Sequence, residues 1–341
     1  MDFRLYDLSV VISTHNRCDQ LGGALDALLA QDPGVAYEVI VVDNNSTDAT
    51  KRVVTSRLAK SPNLTYVFEP RQGLPYARNT GVLTARAPIV AFTDDDVQVG
   101  PEWVSTIKRA FDEHPDIDMV GGRVRPVWPD RIPRWITRSQ LGPFALGERG
   151  DAPIRVSAAN AAPCLVGANF AFRREVFDRV GLFDTAYIKS QDREIQLRLW
   201  RAGGAGLYLP SLAIKVRVPP ERLTRKYFRY WYTTYGIYHS RMGLLDAIDR
   251  DGRLVETQGR RVFGTPAFIF RQLLGSGLRW AAAMLRCDWV KAFYWENQFR
   301  YLFSYARDRY RVHTAGRPHS TLAEIGRFLN THRAQRRRPA A

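Results

Sequence analysis

Short apolar runs alternate with segments of helical period through the first hundred residues. Leu8 to Ser13 (LSVVIS) is brief, apolar and β-branched, the pattern of a buried strand. Asp19 to Ala30 then sets Leu21, Ala24, Leu25, Leu28 and Leu29 at helical spacing ahead of the stop signal Asp32-Pro33-Gly34. Tyr37 to Asp43 (YEVIVVD) predicts a second strand. From Ser46 a capped helix is expected, with Ser and Thr at its mouth, Asp48 in its first turn and Val53, Val54 and Leu58 behind. The cycle repeats with Leu64 to Phe68, a turn at Arg71-Gln72-Gly73, a helix through Ala77 to Ala85 and the strand Ile89 to Thr93. Continuous apolar strands separated by amphipathic helices predict an α/β fold around a mostly parallel, doubly wound sheet. Ligands of such sheets bind outside the carboxyl ends of the strands.

After Thr93 the text changes. Pro101, Glu102, Trp103, Ile107, Ala110 and Phe111 read as a helix with Pro near its first turn and an acidic start. From Gly121 to Pro163 no period is sustained, which predicts a long irregular segment over the sheet edge; Trp128 and Trp135 in it have two readings, packing on a sugar ring or burial against the body. Regularity returns with the apolar run Cys164 to Phe172, a helix from Arg173 to Val180, and a further helix that carries Asp192 and Glu194 at its mouth and ends at Gly203-Gly204.

The 341 residues are 45% hydrophobic and 25% charged, a globular composition with length for a substantial core. Cys18, Cys164 and Cys287 are odd in number, far apart and in no metal spacing, so a reducing compartment is expected. The start MDFRLYDLSV lacks the basic region and apolar core of a signal peptide, and no run is long and apolar enough for a membrane span. A cytoplasmic location is expected, with a peripheral place at the inner face of the membrane as the alternative.

Net charge is +16 and unevenly spread: residues 1–214 hold 25 Lys+Arg against 25 Asp+Glu, and residues 215–341 hold 25 against 9. A neutral body with a basic appendage predicts an anionic contact for the appendage.

The polar residues collect at predicted strand ends: Thr14 after the first, Asp43 after the second, and Asp94-Asp95-Asp96 after the fourth. Adjacent carboxylates repel unless a cation or hydrogen-bond donors neutralise them. The triplet is therefore a hard-metal site or a solvated acidic turn. At Asp192 a general base competes with an ordinary helix cap, since acids are favoured in any first turn.

With VVISTHNR, VVDNNSTDAT, QGLPYARNTG, FTDDD, VGANFAFRREVFDRVGLFD and QDREIQLRL in this order, the chain resembles family 2 glycosyltransferases, inverting enzymes of the GT-A fold, from about residue 8 to residue 226. The resemblance implies that Asp43 accepts hydrogen bonds from the base or ribose of a nucleotide sugar, with Ser13, Thr14 and Asn16 lining the same cleft and Arg78 touching the nucleotide. It implies that Asp94 and Asp96 hold the ribose and a divalent Mg²⁺ or Mn²⁺ on the phosphates, with Asp95 counted in the donor site. Asn169 and Phe170 match positions near the transferred sugar, and Asp192 matches the catalytic base. Gln191 stands where many relatives have Glu, no His occurs near Lys215-Val216-Arg217, and the Gln-any-any-Arg-Trp sequence of processive synthases is missing. A single transfer is expected, from a UDP-linked sugar to a hydroxyl of a glycan or lipid-linked acceptor. Rival readings are a nucleotidyltransferase and a non-catalytic nucleic-acid- or membrane-binding protein.

These readings divide the chain into a catalytic domain (1–220), a basic, aromatic-rich helical appendage (221–330) and a disordered tail (331–341). Within Phe263 to Tyr310, Leu274, Leu278, Ala281 and Leu285 share a helical face while Arg271, Arg279 and Arg286 recur, the pattern of a basic amphipathic helix. Packing on the body, docking on anionic membrane and, least of the three, nucleic-acid binding are its readings.

Overall fold

The computed structural model describes residues 6–32, 34–256 and 260–315. The expected disordered tail, with Arg333 to Arg338, lies outside them. The described chain divides into two compact units, one built from residues up to Pro133, Phe144–Leu223 and Ile248–Leu254, the other from Arg134–Pro143, Thr224–Ala247 and residues from Val255 on.

The first unit is a mixed α/β layer structure. Its elements are β1 (Leu8–Thr14), α1 (Cys18–Leu29), β2 (Tyr37–Asp43), α2 (Thr50–Leu58), β3 (Leu64–Phe68), α3 (Leu74–Thr84), β4 (Ile89–Asp94), β5 (Val97–Val99), α4 (Trp103–Glu113), β6 (Met119–Val127), β7 (Ile154–Ser157), β8 (Asn169–Arg173), α5 (Glu175–Val180), α6 (Gln191–Arg201) and β9 (Ala205–Arg217). Among the described residues the strands form one nine-stranded sheet ordered β3-β2-β1-β4-β8-β6-β9-β5, with β7 on β9. From β3 to β4 every pairing is parallel, as the alternation predicts, and the register sets Thr14 beside Asp43 and Ser13 beside Asp94. Beyond β4 the sheet is mixed: β8 runs antiparallel to β4 and β6, while β6 is parallel to β9.

Side chains of β1 go alternately to two cores. Leu8, Val10 and Ile12 pack with Leu21 and Leu25 of α1 and Ile107 of α4. Val11 joins Phe92, Val82 of α3 and Trp200 of α6 on the other face. Gly81 permits this second layer, because a Cβ there would lie 2.2 Å from Val11 Cγ1.

Three expectations are corrected. The segment from Gly121 to Pro163 is not irregular throughout, since it contributes most of β6 and all of β7. Both strands owe their regularity to the 13-residue β9, which pairs with each and whose partnership no local period announces. The helix expected from Ser46 starts at Thr50, because Ser46 and Thr47 donate to Asp43 and Asn16 and Asp48 Oδ1 receives the Thr50 amide. The run from Cys164 to Phe172 becomes strand only at Asn169.

The second unit holds α7 (Arg225–Arg241), α8 (Leu244–Ala247), the short pair β10 (Arg261–Val262) and β11 (Thr265–Pro266), α9 (Ala267–Leu285) and α10 (Trp289–Thr314). Helix α10 packs against α7 and α9. Two buried carboxylates tie it together: Glu296 accepts from Arg229 and Arg300, and Asp246 from Tyr305 and Arg309. Burial of these acids is tolerable because each is paired and hydrogen-bonded. The amphipathic stretch is two helices, parted at Cys287, which takes a φ of +54°, and restarted where Asp288 caps the Lys291 amide. Among the described residues no helix is long and apolar enough to cross a membrane.

Candidate active site

Loops after β1, β2 and β3 are stitched together at the carboxyl edge. Asn16 adopts a left-handed φ of +51°, which Asn tolerates, and so brings its side-chain Oδ1 within 2.7 Å of the Thr47 amide. Its own amide donates to Ser46 Oγ at 3.0 Å. Asp43 is buried at the end of β2; Oδ1 accepts the Ser46 N–H at 2.9 Å and Oδ2 the Tyr66 hydroxyl at 2.8 Å. Asn44 anchors the third loop, its Oδ1 accepting the Gly73 N–H and its amide donating to Arg71 O, both at 2.7 Å.

Glu69 secures that loop from below. Its carboxyl, 4% exposed, is drawn down to about 2, first by the hydrogen bonds of Arg71 and then, against the cost of burial, by Thr80. A depressed carboxylate contributes stability above its unfolded value and loses it as the folded value is approached, here as pH falls from about 4.5 towards 2. Glu69→Gln should lower unfolding free energy by about 1–3 kcal/mol at neutral pH, with the deficit shrinking below pH 4, as read by urea unfolding across pH.

The acidic triplet divides its work. Asp95 is 3% exposed, accepting from Thr14 Oγ1 at 2.8 Å and Arg17 Nη1 at 2.9 Å, and burial pushes its carboxyl up to about 6 against the pull of Arg17 and Thr14. Arg17 Nη1 also reaches Asp96 Oδ2 at 2.9 Å. Asp94 is the most open of the three, its side chain 37% exposed and 3.7 Å from Arg78 Nη2. Ser13 Oγ, adjacent in register, is buried without a hydrogen-bond partner.

Arg78 belongs to α3 and is 3% exposed. Its guanidinium lies 5.8, 5.3 and 5.5 Å from the ring centres of Phe92, Phe170 and Phe183. Such a cage holds a desolvated cation by its ring faces. Nη2 donates to Gly167 O at 2.9 Å, while Nη1 has no hydrogen-bond partner. The Gly167 N–H points the other way, to Asp192 Oδ2 at 3.2 Å. One residue, Gly167, therefore links the cation beside Asp94 to the carboxylate at the mouth of α6. Glu194, the other acid of that turn, is held through both oxygens by Arg198 at 2.7 Å. Only glycine fits the link, since a Cβ at Gly167 would lie 2.7 Å from Nη2 and 2.8 Å from Nη1. Gly167→Ala should cost about 1–3 kcal/mol in thermal unfolding, the guanidinium having no room to retreat from its aromatic cage.

Ser13, Arg78, Asp94, Asp96 and Asp192 thus fall in one region of the first unit, next to the Asn16 and Asp43 loops. Thr14 and Asp95 are there too, already bonded to each other. Asn169 is not at a free surface: it is fully buried, accepting from Trp103 Nε1 at 2.8 Å and donating to Arg123 O and Leu212 O. Phe170 lies beneath Arg78 as one wall of its cage. Trp128 meets Phe144, and Trp135 meets Phe228 and Phe293, so both indoles pack on the protein's own aromatics. Sequence reasoning passed over Arg17, whose only signal was its place in THNR, and gave Gly167 no role.

A hard divalent cation suits the oxygen chemistry of Asp94 and Asp96, which are near enough for the Asp96 charge to raise the Asp94 carboxyl after burial and Arg78 have acted on it. Among the described residues no group of three His, Cys, Asp or Glu converges as a ligand set.

The half-parallel α/β sheet with its strand-end acids has the GT-A fold. The chain belongs to the family described as Glycosyl transferase family 2, which it matches over residues 9–181. It is 28% identical over 191 residues to the glucosyl-dolichyl phosphate glucuronosyltransferase of Haloferax volcanii, covering 55% of this chain and 59% of that one. It is 35% identical over 129 residues to glycosyltransferase AglE of the same organism, covering 36% and 41%. The matches thus span about three fifths and two fifths of those relatives. Among solved structures, the mannosyltransferase PcManGT from Pyrobaculum calidifontis in complex with GDP-Man and Mn²⁺ superposes with a TM-score of 0.59 at 20% identity, over 89% of this chain and 87% of that one.

Proposed function

We propose that the protein transfers one sugar, with inversion, from a nucleoside diphosphate donor to a hydroxyl of a glycan or lipid-linked acceptor. The observation that carries this reading is the Asp94–Arg78–Gly167–Asp192 chain, which couples an acidic, cation-bearing end to a carboxylate with a free lone pair. Asp43 retains acceptor lone pairs beyond its two bonds for the base or ribose, and Asn16, Ser13 and Thr14 shape the wall around it. A UDP-linked sugar is the proposed donor, with GDP-linked sugars as the comparison.

In the transfer, the acceptor oxygen attacks the anomeric carbon from the face opposite the nucleotide. Its proton passes to Asp192 as the new C–O bond forms and the bond to the diphosphate breaks. The Gly167 N–H fixes the orientation of the receiving carboxylate, and Arg78 offsets its charge from behind. Mg²⁺ or Mn²⁺ held by Asp94 and Asp96 would supply charge neutralisation for the departing diphosphate. Asp95 and Thr14 hold the triplet in place, and Arg17 balances Asp95 and Asp96. For the acceptor, the name of the Haloferax volcanii glucuronosyltransferase, a protein acting on glucosyl-dolichyl phosphate, supports a lipid-linked hydroxyl.

Thermal unfolding with a panel of UDP- and GDP-sugars, each with and without Mn²⁺, tests the donor reading. At 100-fold excess over Kd, one donor should add about 2.7 kcal/mol of stability. A flat response across the panel would exclude it.

A further inference from the structure

Helix α9 displays an apolar stripe that no described residue covers. Taking 100° per residue, Phe270, Leu274, Leu278, Met284 and Leu285 fall within about a third of the helix circumference. They are 36%, 65%, 63%, 44% and 87% exposed, whereas Ile269, Ser276 and Ala283 on the opposite face are buried. Single exposed leucines are ordinary, but a stripe over about four turns of one helix marks a contact surface.

Charge selects the occupant. Helix α9 contains no Asp or Glu, and Arg271, Arg279 and Arg286 follow one flank of the stripe. The guanidinium of Arg279 is set 4.8 Å over the Trp295 ring, beside the stripe and not across it. Just past the helix end, Trp289 is 55% exposed, an amphipathic ring suited to a headgroup layer. A second copy packed on a two-fold axis would bring the same arginines together with no α9 carboxylate to pair them. Nucleic acid could take the arginines and the rings of Phe270 and Trp289, but it would leave Leu274, Leu278, Met284 and Leu285 in water. An anionic bilayer satisfies both features, apolar side chains entering the acyl boundary and arginines meeting lipid phosphates.

We propose that α9 is an interfacial helix that lays its Phe270–Leu285 stripe on an anionic lipid membrane. This is independent of which donor the catalytic unit uses, although a membrane-bound protein is well placed to meet a lipid-linked hydroxyl.

Sedimentation of the full chain with phosphatidylcholine vesicles, with and without phosphatidylglycerol, tests the proposal. Binding should require phosphatidylglycerol and weaken as salt rises. Leu274→Ser with Leu278→Ser should reduce the partition coefficient by about tenfold or more, and Arg271→Gln with Arg286→Gln by roughly 10- to 30-fold at low salt. All four side chains are solvent-exposed, so the melting temperature and any donor-induced stabilisation should stay at wild-type values, which separates this outcome from failure of the donor reading. No pelleting with anionic vesicles, or pelleting indifferent to both double variants, overturns the proposal. So does a concentration-dependent dimer that the leucine variant converts to monomer.

Discussion

Asp192→Asn is expected to lower the rate of transfer by about 10²- to 10⁴-fold while leaving donor binding nearly unchanged. The amide keeps one oxygen for either the Gly167 N–H, now on Oδ2 at 3.2 Å, or the Arg193 N–H, now on Oδ1 at 2.9 Å, so one of the side chain's two anchors survives. Its basicity does not. Neighbouring Gln191 cannot accept a proton at neutral pH, and Glu194 is committed to Arg198. Measuring kcat beside donor-induced thermal stabilisation separates the two effects, and near-wild-type kcat would assign proton removal elsewhere.

The second large effect is expected from Asp94→Asn. Asp94 is the most accessible acid of the triplet and the nearest carboxylate to the buried Arg78, at 3.7 Å. Removing its charge takes from the caged cation the nearer of two counter-charges, Asp192 being the other, and with Asp94 37% exposed this is expected to cost about 1–2 kcal/mol. It also takes one of two carboxylates from the diphosphate end. Loss of charge stabilisation there is expected to cost several kcal/mol in the transition state, on the order of 10³-fold in kcat/KM. The melting temperature of the ligand-free variant measures the first loss. The missing Mn²⁺-dependent increment on adding donor measures the second, and a variant that keeps this increment would remove Asp94 from the diphosphate end.

What could be read beforehand follows from which signals are local. Strands β1, β2 and β4 are continuous β-branched runs because they are buried on both faces, and burial of that kind is written into composition. The edge formed by β6, β7 and β9 is written into pairing instead: GGRVRP has neither alternation nor an apolar run, yet Met119 to Val124 are buried once β9 lies alongside. The candidate site divides in the same way. The triplet at Asp94 and the acid at Asp43 announce themselves at strand ends. The cage of Arg78 does not, because Phe92, Phe170 and Phe183 come from three distant segments and look like ordinary core in each. Asn169 is the converse case: the family resemblance set it near the transferred sugar, and its carboxamide closes a buried network with Trp103, Arg123 and Leu212. A buried polar side chain must be satisfied, and the protein itself does so here.

Release of nucleoside diphosphate from the same donor panel in the presence of Mn²⁺, with water as the surrogate acceptor, tests the central claim most directly. The account predicts slow, stoichiometric release of nucleoside diphosphate and free sugar from at least one UDP- or GDP-sugar, lost in Asp94→Asn. Absence of both binding and release for every donor would contradict it.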